Sequence, residues 1–400
     1  MDERFQEGLF HRSGQRPGAF FTLLFLRASP GSTARQVGSA FAGLWSRYQG
    51  LKQGRVQDLE PAEVPSGNLS VLVGFGPKAF ALPEAARPLP EQLGARYRFR
   101  SPLPTGGGPL LRGSGLAYDA DVLVNRATEE IALQFIADTQ LAVSRAVVET
   151  WKYLDDLGES TPLFMTGFFQ GSNRDDGRSW IDFHDGVSNL RSDQRAGVMA
   201  IKSGGLAEDA WTVGGTYLAF LRVGVDLAAW RRVSRERQEL LVGRAKLEGC
   251  PFASRDADGR GVTVTECAGD PSHPAHIEPP TVSDPVLLQS HVQRANHHVG
   301  APEDRNSLRV YRQGYEFLEP LEAAPGFRAG LNFVSFQDTP ERLFRMLTTE
   351  TWLGRTNFGG EPGSGPGTLA SLLGIRAGGV YLVPPVEPAE SFPGASIFGV

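Results

Sequence analysis

Apolar residues recur along this chain at two spacings, and the alternation between them marks out the elements. Residues 20–26 form a near-continuous apolar run, the pattern of a strand buried on both faces. Ser29, Pro30 and Gly31 end it, Ser32 supplies an N-cap, and Val37, Phe41, Leu44 and Trp45 then recur at helical spacing to about Tyr48. Strand character returns at 69–75. Beyond a Gly- and Pro-rich stretch at 101–115, residues 131–136 read as a strand, and Asp138 caps a helix whose apolar face is Leu141, Val148, Trp151 and Leu154.

The second half repeats this order. A strand at 216–222 leads into a helix over 227–242 that carries Leu227, Trp230, Val233, Leu240 and Leu241. Strands follow at 308–317 and 331–336. Thr339-Pro340 then opens a helix with Leu343, Met346 and Leu347 inward, and 380–383 closes the set. Strand, helix, strand, strand, helix, strand, read twice, is the order of a ferredoxin-like α+β unit in duplicate. We expect units at 1–160 and 161–400, with 251–285, rich in Gly, Asp, Pro and Ser, as a surface excursion of the second. The proline-containing tail 384–400 is suited to cover or dock onto another part of the chain.

Composition changes this picture little. A chain of 400 residues, 40% of them apolar and 21% charged, can bury two sizeable cores. A formal charge of -5 supplies no basic field for nucleic acid or an anionic membrane, which leaves small-molecule chemistry. The run at 20–26 is too short to span a bilayer, and neither a twin-arginine pair nor a small-residue cleavage site accompanies it. With only Cys250 and Cys267, outside any Cys-x-x-Cys spacing, a reducing, cytoplasmic compartment is the simpler expectation.

Three segments carry chemistry. Asp182-Phe183-His184-Asp185-Gly186-Val187-Ser188-Asn189 is first a turn signature, because Asp bonds nearby backbone and Gly takes positive φ. Ser290-His291-Val292-Gln293-Arg294-Ala295-Asn296-His297-His298 gathers imidazoles that suit haem iron, zinc or a plain polar surface. In Arg309-Val310-Tyr311-Arg312-Gln313-Gly314-Tyr315, Arg312 can face a pocket and stabilise negative charge, or form an ordinary salt bridge. Farther on, Leu331 and Phe333 share one strand face, Val334 and Phe336 the other.

Taken in order, these segments resemble the dye-decolourising (DyP-type) haem peroxidases. That family carries an Asp-Gly motif, matched by Asp185-Gly186; a His-x-x-Arg-x-Asn segment, matched by His291, Arg294 and Asn296; and an Arg followed by Gly and an aromatic, matched by Arg312, Gly314 and Tyr315. Gly214–Leu218 and Gly243–Lys246 also look familiar, so the likeness covers most of 160–360. One departure is visible, since Asp182 stands where the family usually has glycine three positions before the Asp. A second carboxylate there could raise the pKa of Asp185, whereas His184, facing away on a strand, would be a bystander.

The resemblance implies haem b in the C-terminal unit, with His291 as axial iron ligand and Arg294, Arg312, Leu331 and Phe333 also at the cofactor. Asp185 would shift a proton between the peroxide oxygens. Arg312 would stabilise charge as the O–O bond breaks, an effect worth about 3 kcal/mol per well-placed donor. Leu331 and Phe333 would exclude water and restrict access to small oxidants. The implied reaction uses hydrogen peroxide to oxidise an organic reductant such as a dye or phenol, in a protein that the family would allow to form homo-oligomers. Two alternatives stand beside it: a haem carrier or iron-releasing protein on the same fold, and a scaffold module that binds no haem.

Overall fold

The computed structural model describes residues 4–9, 17–94, 97–98, 110–112, 115–116, 129–202, 206–265, 267, 277–295, 307, 309–321, 325–343 and 372–400. Eight long strands carry the fold: β1 (Phe20–Ala28), β2 (Ser70–Phe75), β3 (Ile131–Ala137), β4 (Leu163–Ser172), β5 (Thr216–Val225), β6 (Tyr311–Pro320), β7 (Phe327–Gln337) and β8 (Leu373–Val383). Pairing is antiparallel throughout and gives two four-stranded sheets, β4-β1-β3-β2 and β8-β5-β7-β6. Each has the strand order expected of a ferredoxin-like unit, so the duplicated α+β architecture holds. The first sheet runs on to Ser172, past residue 160, because β4 pairs with β1 along its length.

Pattern alone gave no sign that the sheets close on each other. Phe75 pairs with Leu382 at one seam and Ser172 with Glu316 at the other, which makes a single eight-stranded barrel. Residues from both halves share one core. Six consecutive residues of β1 are buried because one face looks into the barrel and the other lies under a helix.

The helices follow the sequence reading with four corrections. Helix α1 (Ala34–Lys52) starts one residue later than expected, capped by Thr33 instead of Ser32; Thr33 Oγ1 accepts from Gln36 N at 3.4 Å and Gln36 Oε1 from Thr33 N at 2.9 Å, a capping box. Helix α2 (Gln140–Asp156) is capped by Thr139, whereas Asp138 accepts a hydrogen bond from Asn68. Its buried face is also different: Ala142, Val143, Ala146, Val147 and Leu154 pack inward, while Leu141, Val148 and Trp151 are exposed. Small residues let the helix approach the sheet closely, and the larger side chains stay outside.

The expected helix over 227–242 is two, α3 (Leu227–Arg231) and α4 (Arg235–Val242). Asp226 caps the first and Ser234 the second, and the Gln238 amide donates to Trp230 O and Val233 O, both at 3.0 Å, to satisfy the break. A helical turn opens after Pro340; the expected inward faces of Met346 and Leu347 lie outside the described residues. No described helix is long and apolar enough to cross a membrane.

Within 251–285 a short hairpin, Phe252–Arg255 with Gly261–Thr263, packs Phe252 against Val282 and Leu287. Cys250 and Cys267 flank it and are joined by a disulfide, which the small cysteine count had not suggested. The tail docks onto the first unit: Phe392, Ile397 and Phe398 are buried, with Phe392 edge-on to Phe41 of α1 at 4.9 Å.

Candidate active site

A cavity of about 200 Å³ lies against the second sheet. Strand alternation decides which residues reach it. On β6 the same-face positions are Arg312, Gly314 and Glu316; on β7 Leu331 and Phe333 line the cavity, while Val334 and Phe336 turn into the core. Val223, Val225 and Leu373 extend the apolar wall. Across from them stand Val242 at the end of α4, Arg244, and His291, Val292 and Ala295 of α5 (His291–Ala295). Ser290 Oγ accepts from Gln293 N at 3.4 Å, and Gln293 Nε2 donates to Pro280 O at 2.8 Å, which fixes the short helix that presents His291. The Arg294 side chain and Asn296 lie outside the described residues.

Residues 179–188 form the remaining wall. Arg178 secures them: its guanidinium donates to Asp182 O (2.8 Å), Lys246 O (2.7 Å) and Leu247 O (2.7 Å), tying this segment to the turn after α4. Asp182 has φ +65°, the left-handed region, which is the physical reason for a glycine there; aspartate is among the few residues that adopt it at modest cost. Its carboxylate lies 3.8 Å from Arg174 and 3.7 Å from Lys246, and it does not line the cavity. Gly186 follows at φ +75°, and Asp185 Oδ1 accepts from Gly186 N at 2.7 Å. His184, expected to face away, is buried and lines the cavity.

Asp185 Oδ2 reaches across to β6 and sits over Gly314; a Cβ on that glycine would stand 2.8 Å from it. The missing side chain makes room for the carboxylate beside Arg312. The Asn189 amide receives Arg312 N at 3.1 Å and donates to Arg312 O at 2.7 Å, so the Asp-Gly turn and the arginine strand are locked in register.

The site is cationic. Arg309 donates to Glu278 (2.8 Å) and to Ser188 O (3.0 Å), and Arg244 donates to Gly249 O (2.8 Å) and to Ser188 Oγ. Burial lowers the pKa of Arg312; the Asp185 charge opposes this and the Arg309 charge adds to it. Burial first, then Arg312, brings Arg244 down to about 10 against the pull of Glu278. Glu316 moves the other way, pushed up to about 8 by burial and then by Asp185, while the Trp180 N–H (3.2 Å) and Arg174 work against the shift.

Asp185, His291, Arg312, Leu331 and Phe333, five residues singled out from sequence, thus border one cavity. Sequence reasoning gave no role to Arg244, Arg309 or Glu316, although Arg244 and Arg309 lie within the stretches it singled out and Glu316 shares the parity of Arg312 and Gly314 on a strand.

The profile described as Dyp-type peroxidase, C-terminal, matches residues 176–388, the stretch that builds this cavity. The chain belongs to the Dyp-type peroxidase family. Its curated relatives include a deferrochelatase of Shigella flexneri, 24% identical over 290 residues, a match covering 68% of this chain and 59% of the relative. The chain therefore matches rather more than half the length of that relative. Among solved structures, the DyP-type peroxidase of Cellulomonas bogoriensis superposes with a TM-score of 0.70 at 20% identity, covering 100% of this chain and 97% of the other. A DypB variant of Rhodococcus jostii RHA1 in complex with heme gives 0.57 at 19%, covering 95% of this chain and 96% of the other. At such identities the structural likeness speaks for the fold, and the Dyp-type family profile speaks for membership.

Proposed function

We propose that this Dyp-type family member is a haem peroxidase, which binds haem b between the second sheet and α4 and α5 and reduces hydrogen peroxide with electrons from an organic donor. The observation that carries the reading is the convergence of an imidazole (His291), a carboxylate (Asp185) and a guanidinium (Arg312) on one apolar-walled cavity. The donor set fits the cofactor: Val223, Val225, Leu331, Phe333 and Leu373 suit a flat macrocycle, His291 suits its iron, and Arg244 and Arg309 suit its acidic arms. When bound, haem supplies the iron that receives peroxide and takes up its oxidising equivalents.

The chain's own residues do the rest. Asp185 takes a proton from one peroxide oxygen and returns it to the other, while Arg312 stabilises the charge that grows on the departing oxygen. The apolar pair Leu331 and Phe333 keeps bulk water and large donors away. Stopped-flow absorbance of haem-loaded protein mixed with peroxide tests this. We expect a Soret band that shifts within milliseconds in the parent and does not form normally in His291→Ala.

The deferrochelatase relatives favour a second reading, haem handling with release of iron. A Soret band that ignores peroxide, together with appearance of iron-free porphyrin, would select it. As to compartment, the Cys250–Cys267 disulfide supports oxidising surroundings over the cytoplasm expected from the cysteine count, because such bonds persist where thiols are not kept reduced.

A further inference from the structure

A second carboxyl group stands on the same wall. Arg312, Gly314 and Glu316 follow one another on one face of β6 at intervals of about 7 Å, and Asp185 over Gly314 lies between the other two. Glu316 is only 7% exposed and sits at the barrel seam, its backbone paired with Ser172 of β4. It borders two cavities: the one just described and another, lined by Gln170, Ser172, Trp180 and Glu319, on the far side of that seam. The groups that act on it are Asp185 and the Trp180 N–H from the 179–188 segment and Arg174 from the turn after β4; Arg312 shares its strand face, and Leu331, its partner on β7, is apolar.

We propose that Glu316 is a positioning residue that relays protons from the second cavity to Asp185. The inference rests on the peroxidase reading. Reducing one hydrogen peroxide to two waters consumes two electrons and two protons. If the organic donor is held outside by Leu331 and Phe333, its electrons travel through the protein and the protons must enter by a separate route. In the relay the Glu316 O–H bond breaks and its proton passes, across one water, to the Asp185 carboxylate, which hands it to the oxygen being reduced. A proton from bulk solvent, passed along through the second cavity, then reprotonates Glu316. A pKa near 8 keeps the side chain protonated, and therefore uncharged, at neutral pH.

Haem-loaded parent, Glu316→Gln and Glu316→Asp provide the test, with two readouts. In infrared difference spectra the parent should show a protonated carboxyl band that titrates near pH 8 and is missing in Glu316→Gln. In kinetics, Glu316→Gln should lower turnover at saturating peroxide about tenfold more than it slows the first reaction with peroxide, and should abolish the change in turnover around pH 8; Glu316→Asp should restore part of both. A merely structural residue would move both rates together and leave the pH profile alone. Identical profiles in a peroxide-reactive parent and Glu316→Gln, or no protonated carboxyl band at neutral pH, would overturn the relay alone. A haem-loaded parent that does not react with peroxide would overturn the peroxidase reading and the relay with it.

Discussion

The side chain of Asn189 grips the backbone of Arg312 from both sides, its Oδ1 accepting from the arginine N–H at 3.1 Å and its Nδ2 donating to the carbonyl at 2.7 Å. Arg312 pairs with Ser335 of β7 along one edge, so the amide stands where a further strand would otherwise be. Asn189→Ala leaves a half-buried N–H and C=O without these partners, and we expect a loss of about 1–3 kcal/mol in urea denaturation together with at least about tenfold slower reaction with peroxide. Asn189→Asp sets a carboxylate against the Arg312 carbonyl and should lose more. Unaltered peroxide kinetics in both variants would refute the clamp.

Gly314 is kept bare by Asp185. An alanine there would bring its Cβ to 2.8 Å from Asp185 Oδ2 and 3.1 Å from Leu331 Cδ1, and something must shift. The carboxylate is the nearer of the two, so Gly314→Ala should bind haem with an ordinary Soret band yet react with peroxide about a hundredfold more slowly. Equal rates would show that Asp185 need not occupy that space.

Glu316 imposes a pH dependence on stability. Its pKa is raised to about 8 in the folded protein by burial and then by Asp185, so the folded state holds a proton that the unfolded chain releases at the ordinary glutamate value. The stabilisation is complete below that ordinary value and is lost as pH rises through about 8. Thermal melting of the parent should therefore fall relative to Glu316→Gln on going from mildly acidic to alkaline buffer, by the equivalent of about 2 kcal/mol. Parallel curves for the two proteins would contradict this.

The disulfide closes a loop between residues 17 apart in sequence and holds the hairpin that carries Phe252. Loop-closure entropy gives such a link about 3 kcal/mol. Calorimetry of the Cys250→Ala/Cys267→Ala double variant should show a melting temperature lower by a few degrees, and adding reductant to the parent should reproduce the decrease. A parent that is insensitive to reductant, with a thiol assay giving two free cysteines, would exclude the link.

Periodicity determined a good deal of this by itself. The buried runs at 21–26 and 131–136, the alternation of Leu331 and Phe333 against Val334 and Phe336, and the Asp-Gly turn at 185–186 are set by side-chain spacing and local backbone preference, which need no distant partner. Long-range closure lay beyond such reading. The pairing of Phe75 with Leu382 and of Ser172 with Glu316 depends on how two sheets meet, and the inward face of α2 depends on how near its axis comes to the sheet. Glu316 shows the difference most clearly. Its place on a strand face follows from counting by twos, but its burial, its second cavity and its held proton exist only because the barrel closes there, removing water from a carboxyl group and setting Asp185 beside it.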